Sequence, residues 1–317
     1  MTISPTERSA ATFAAVFSRW RADRGMTKKR LAAQMGFDPS YLSHVERGRH
    51  RPTADFARRA ELVLRAGGAV WQAFVDYDEA RSAAARTRHG LVSEHWRPPG
   101  PGPVVEQEVA SLTYRDGRYR CVVQRRLYNA GTEPLSRWLS RIAVDRYPQD
   151  SEQSNAHHRS HPLALPELEF YGLYGDPGED REPMRWRAKH DRDALKEIWL
   201  LFENEARQFP LYPGQRTTIE YGYTVRDDLW GPWFQRAIRL PTGRLAVRVD
   251  LPTPPEPQVW GVETSLSTGE APLRTPVNRR AEPGRAVFEW ETEAPPVHAR
   301  YRLQWRFRPE AGRGTVS

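Results

Sequence analysis

The densest aromatic group in this sequence is Asp227-Asp-Leu-Trp230-Gly-Pro-Trp233-Phe234, which follows a strongly alternating segment and is matched in character by Trp260-Gly-Val-Glu263. Aromatic faces beside carboxylates suit a cationic or planar ligand. Trp230, Trp233, Phe234 and Trp260 are therefore the candidate ligand-binding residues of the C-terminal part. The bland alternative makes them core plugs at one end of a sheet structure. Two further clusters, His157, His158 and His161, and His190 with Asp191 and Asp193, contain metal-ligating side chains. The first is read as part of a polar loop. Neither has the helix-borne H-E-x-x-H spacing or the cysteine pairs of a zinc site, so no metal is expected. There is no G-x-S-x-G elbow, no phosphate-binding P-loop and no G-x-G-x-x-G opening a helix. No catalytic residue or cofactor is assigned, and the chain is read as a non-enzyme. Asp227 and Asp228 are expected to be solvated turn residues, and Arg300, Arg302, Arg306 and Arg308 a solvated sheet face.

The 317 residues exceed one average domain and suit two. Residues 1 to 100 carry 17 Lys plus Arg against 10 Asp plus Glu, and residues 101 to 317 carry 31 against 30. Nearly all of the positive excess thus sits in the first third, as phosphate binding by counterion release requires. Cys121 is the only cysteine, which excludes an internal disulfide framework and a thiolate zinc cluster. No basic N-terminal segment precedes a long apolar run, and no apolar stretch approaches membrane-spanning length. A cytoplasmic protein without a membrane span is expected.

Helical spacing runs through residues 12 to 90, beginning with Phe13, Val16, Phe17 and Trp20. Gly25 closes a first helix, Thr27 caps a second through Met35, and Asp38 followed by Pro39 opens a third. A fourth spans about Thr53 to Arg65 and stops at Gly67-Gly68; a fifth runs from Ala69 to about Arg86. The segment Arg97-Pro-Pro-Gly-Pro-Gly-Pro103 removes donors and loosens the chain, so it reads as a linker. Beyond it the period becomes two, most cleanly in Ile219, Tyr221, Tyr223, Val225; in Leu245, Val247, Val249, Leu251; and in Tyr301, Leu303, Trp305, Phe307. Seven or more strands predict an all-β antiparallel sandwich, for which the immunoglobulin-like arrangement is one candidate. The expected organisation is a helical domain over residues 1–66, a helical connector over 67–96, a linker over 97–104 and a β-sandwich-like domain over 105–310.

From Thr27 to Leu64 the spacing sets two short helices across a tight turn. Leu31, Ala32 and Met35 face inward on the first, Leu42 and Val45 on the second, and Gly36 permits a left-handed backbone between them. The second helix would project Pro39, Ser40, Tyr41 and His44 outward. The run Ser43-His-Val-Glu46-Arg-Gly48-Arg-His-Arg-Pro52 resembles the S-x-x-E-x-G-x-x-x-P ending of the recognition helix in the Cro and phage-repressor family, also called the xenobiotic-response-element type. The resemblance covers residues 12–66. It implies an all-α helix-turn-helix domain of a bacterial regulator, with Ser40, Tyr41 and His44 on base edges, Lys28 and Arg47 on phosphates, Arg49 beside them, and Arg21 paired with Glu46. Pro39 departs from the polar base reader often found there, which shifts the expected specificity toward Tyr41, His44 and shape readout.

These observations predict a sequence-specific transcriptional regulator that binds a double-stranded DNA operator as a homodimer, its β domain sensing a ligand or assembling subunits. An antitoxin-like or defence-associated interaction protein with autoregulatory DNA binding is the alternative. An enzyme tethered to DNA is a third, weaker reading.

Overall fold

The computed structural model describes residues 5–88, 100–176, 181–202, 210–265 and 269–307. Linker residues 97–99 and Arg308 of the arginine ladder lie outside them. The chain divides into two compact units. The helical unit holds α1 (Pro5–Asp23), α2 (Lys28–Met35), α3 (Pro39–Glu46), α4 (Ala54–Leu64) and α5 (Ala69–Arg88), together with the short segments Ala130–Pro134 and Tyr212–Gln215.

Local chemistry sets these helices. The Thr27 side chain accepts from the Arg30 N–H at 3.2 Å to open α2, and Gly36 ends it at φ 70°, a conformation that costs a side-chain-bearing residue dearly. Asp38 caps α3 with Pro39 in the first turn, and Thr53 caps α4. The Glu61 carboxylate accepts the N–H groups of Gly68, Val70 and Trp71 at 2.8–3.1 Å, filling the donors at the start of α5. The core packs Phe13, Phe17, Leu31, Met35, Phe56 and Phe74, and α5 lies against α1 and α4.

Among the described residues the second unit has fifteen strands in three sheets. Strands β1 (Pro103–Arg115), β2 (Arg118–Asn129), β4 (Tyr171–Tyr174), β5 (Glu182–Pro183), β8 (Arg216–Arg226), β10 (Thr242–Pro252), β13 (Asn278–Glu282) and β14 (Arg285–Glu293) form an eight-stranded sheet in the order β13-β14-β10-β1-β2-β8-β4-β5. A four-stranded sheet, β12-β11-β15-β9, is made from β9 (Trp233–Ala237), β11 (Pro257–Ser265), β12 (Gly269–Pro272) and β15 (Arg300–Phe307). A third contains β3 (Arg137–Ala143), β7 (Leu195–Leu201) and β6 (Arg185–Arg192) in the order β3-β7-β6. The alternating residues of β8, β10 and β15 named above point into one shared core, while Arg302 and Arg306 on the other face of β15 bond Glu270 and Gln258.

Three details differ from the sequence reading. The sheet is mixed, because β1 and β10 run parallel, Val105 facing Thr242 through Thr113 facing Asp250. Strand β1 begins at Pro103, inside the expected linker; proline is tolerated as a first strand residue. His157, His158 and His161 belong to a helix and its C-cap, α6 (Ser151–Ser160), not to a loop, with Asp150 capping it through the Gln153 N–H at 2.9 Å.

Candidate nucleic-acid interface and cavity

Helix α3 presents Pro39 and Ser40 to solvent at its start, His44 half-buried one turn on, and Arg47 and Arg49 exposed beyond its end. Asp38 fixes the leading turn, accepting from the Ser40 N–H at 2.7 Å and also from the Ser40 hydroxyl. The Ser40 hydroxyl holds the Asp38 carboxyl below its ordinary value, although partial burial opposes this. After α3, the left-handed Gly48 (φ 67°) turns the chain so that the N–H groups of Arg49 and His50 both reach the His44 carbonyl, at 2.9 and 3.2 Å. Arg47 and Arg49 thereby leave the helix on exposed backbone, and neither has a carboxylate partner among the described residues. Sequence reasoning passed over Lys29 and Arg30, which are exposed in the first turn of α2. Their signal was only adjacency to Lys28.

Tyr41 is not on this face. It is fully buried, stacked on Phe37 with ring centroids 5.2 Å apart and edge-on to Phe56 at 5.4 Å, and its hydroxyl accepts from the Gln215 amide at 2.8 Å. The helical repeat explains the correction: Tyr41 lies four residues before Val45 and beside Leu42, on the inward stripe.

Lys28 is committed elsewhere too. Its ammonium lies 2.7 Å from Glu46 Oε2, while Arg21 Nε reaches Oε1 at 2.5 Å and a further Arg21 nitrogen donates to the Met26 carbonyl at 2.9 Å. The Arg21–Glu46 pair is therefore present, and Lys28 completes it, tying α3 to α1 and to the start of α2. Burial works against the Glu46 carboxylate, but the hydrogen bonds from Arg21 and Lys28 outweigh it and hold its pKa below the ordinary value. His50 is held neutral: burial, with Arg51 and His44 nearby, pushes its pKa down to about 4.

In the β unit, Trp230, Trp233 and Phe234 line a cavity of about 470 Å³ together with Trp138, Tyr221 and Tyr223. This lies within the range of small-molecule pockets. Trp260 does not join them; it stands on β11 with 43% of its surface exposed, on a strand whose register with β15 turns it away from the core. The carboxylates that accompany the aromatics in sequence are also elsewhere, Asp227 accepting from the Tyr114 hydroxyl at 2.7 Å and Asp228 pairing with Arg226 at 3.0 Å. Among the described residues the one carboxylate in the wall is Glu108 on β1, buried between Arg125 on β2 and Arg236 on β9, at 2.6 and 2.7 Å. Burial alone would raise its pKa, but the two guanidinium groups bring it down to about 2. Arg125 also lies over the rings of Trp138 and Tyr221, 5.5 and 5.7 Å from their centroids. Cys121 is buried nearby and its thiol is pushed up to about 11 by burial, which leaves it inert. Among the described residues no group of three or more His, Cys, Asp or Glu is placed to hold a metal ion, and no helix is long and apolar enough to cross a membrane.

Residues 12–73 match the helix-turn-helix domain family, and this part of the chain is a helix-turn-helix domain. The uncharacterized HTH-type transcriptional regulator y4dJ of Sinorhizobium fredii is 46% identical over 37 residues, which are 12% of this chain and 48% of that protein. The chain thus spans about half the length of the curated relative it matches. Among solved structures, the M1 zinc metallopeptidase of Deinococcus radiodurans is 12% identical over 64% of this chain and 42% of its own, with a TM-score of 0.38. The clp gene regulator ClgR of Corynebacterium glutamicum is 23% identical over 26% of this chain and 96% of its own, with a TM-score of 0.20.

Proposed function

We propose that this protein is a bacterial, cytoplasmic transcription regulator whose helix α3 enters the major groove of an operator and whose β unit senses a small molecule. The observation that carries the reading is the start of α3, exposed at Pro39 and Ser40 with His44 half-buried one turn on, continued by two exposed arginines that have no carboxylate partner among the described residues, in a helix-turn-helix domain. The Ser40 hydroxyl and His44 imidazole offer donors and acceptors for base edges, and Pro39 offers apolar surface for a thymine methyl. Arg47 and Arg49, with Lys29 and Arg30, hold phosphates and fix the register. Lys28 acts through Glu46, positioning α3. A single short helix reads few base pairs, so two copies bind two half-sites, a requirement that light scattering of a monomer with and without DNA would remove. The cavity supports the sensing role, because a regulator needs a site where a small molecule can bind.

Genome-wide recovery of bound DNA with the intact chain, beside the Arg47→Ala, His44→Ala double variant, tests the operator reading. The wild type is expected to enrich a short inverted repeat that the variant does not. Enrichment of no site by the wild type would sink it.

A further inference from the structure

The charge around the cavity is lopsided. Among the described residues, Arg125, Arg137, Arg141, Arg236 and Arg239 line it against the single carboxylate Glu108. Arg125 and Arg236 spend their charge on Glu108, and Arg141 is paired with Glu197 outside the wall. Arg137 lies over the Trp199 ring at 4.5 Å, which leaves its charge uncancelled. Arg239 is exposed and takes no hydrogen bond or ion pair from any described residue. Partial burial, then repulsion from Arg141 and Arg300, depresses the Arg239 pKa below its ordinary value, against the opposing pull of Glu197. The wall also carries the rings of Trp138, Tyr221, Tyr223, Trp230, Trp233 and Phe234.

From this arrangement we infer that the cavity binds a small organic carboxylate with a flat apolar body, its carboxylate at Arg239 and Arg137 and its body against Trp138, Tyr221, Trp230 and Phe234. The size suits such a molecule. Guanidinium forks match carboxylate geometry, and a charge-assisted hydrogen bond in a partly desolvated site discriminates against a neutral isostere. Cationic ligands, which the neighbouring aspartates suggest in sequence, are disfavoured by the same arginines.

This deepens the sensing role proposed above and rests on it for its biological use, but not for its test. The full chain without DNA is titrated with 2-naphthoate, 2-naphthalenemethanol and 2-naphthylmethylammonium, following quenching of tryptophan fluorescence and heat release. Naphthoate is expected to saturate at one per chain, about tenfold or more tighter than the alcohol, with the ammonium weakest. Arg239→Gln, at an exposed position, should erase most of that preference while leaving binding of the alcohol unchanged, and Arg137→Gln should do so in part. Equal or tighter binding of the alcohol or ammonium, no saturable binding of any probe, or a preference that survives both substitutions overturns the inference. Naphthoate binding that leaves operator affinity unchanged would uphold the site and remove the sensing role.

Discussion

Glu46 in the helical unit and Glu108 in the β unit each sit between two cations, and the two arrangements do different work. In the helical unit Glu46 sits between Arg21 and Lys28, and the Lys28 side chain keeps 33% of its surface in solvent. In the β unit Glu108 sits between Arg125 and Arg236, whose side chains keep 13% and 10%. Cations that reach water can be rehydrated when their carboxylate is lost, whereas desolvated ones cannot. Glu46 is therefore a tie that orients the reading helix, and Glu108 is the neutralising centre that lets the half-buried Arg125 and the buried Arg236 stand in a cavity wall. Replacing Glu108 by Ala should destabilise the β unit by about 3–5 kcal/mol, the usual cost of orphaning a buried charge. Glu46→Ala should cost the helical unit about 1–3 kcal/mol, the range for losing hydrogen bonds to a charged group. Urea denaturation of each variant measures both, and equal losses would break the comparison.

Acid separates the units next. A buried neutral imidazole binds its proton near 6.5 in the unfolded chain but only near about 4 at His50 in the folded one, so the unfolded state holds more protons in that window. The helical unit thus loses stability as pH falls from 6.5 toward 4. Glu108 has its folded value depressed from 4.5 to about 2, so its contribution is complete above 4.5 and is lost as pH falls toward 2. Hydrogen exchange of backbone amides across an acid titration should show the helices opening at higher pH than β1, β2 and β9. A His50→Gln variant should move only the first transition, and a single transition shared by both units would overturn the assignment.

The units also differ in how far residue spacing announces them. Thr27, Gly36, Asp38 and Pro39 act within a few residues of one another, so the limits of α2 and α3 are local facts and legible. Strands β8, β10 and β15 are legible by alternation because one face of each is buried. Helix α6 is not: its residues are polar, and only Ser154 and His158 are buried, so no apolar stripe marks it. The cavity is less legible still. Glu108 meets Arg125 because β1 and β2 pair in that register, and Arg236 arrives from β9 more than a hundred residues later. Each charge alone reads as a solvated side chain. Local density found Trp230, Trp233 and Phe234 but could not tell that their partners are arginines rather than the aspartates beside them. Tyr41 lies on the inward stripe by spacing, but its hydroxyl suits an outward, base-reading place as well, and the packing of Phe37, Phe56 and Gln215 around it settles the face.

The smallest expected effect divides the helical unit's own interior from its reading face. Tyr41→Phe keeps the ring between Phe37 and Phe56 but leaves the Gln215 amide without its acceptor, at a cost of about 0.5–1.5 kcal/mol in stability. It should leave base preference and the salt dependence of DNA binding unchanged. His44→Ala should instead relax discrimination at one base pair by about 1–3 kcal/mol. Arg47→Ala should weaken binding evenly across sequences and lower the salt slope by about one. Selection of bound sequences from a randomised pool, repeated at two salt concentrations, reads all three variants together. A change of base preference in Tyr41→Phe would mean that the ring beneath α3 aims the helix as closely as Glu46 does.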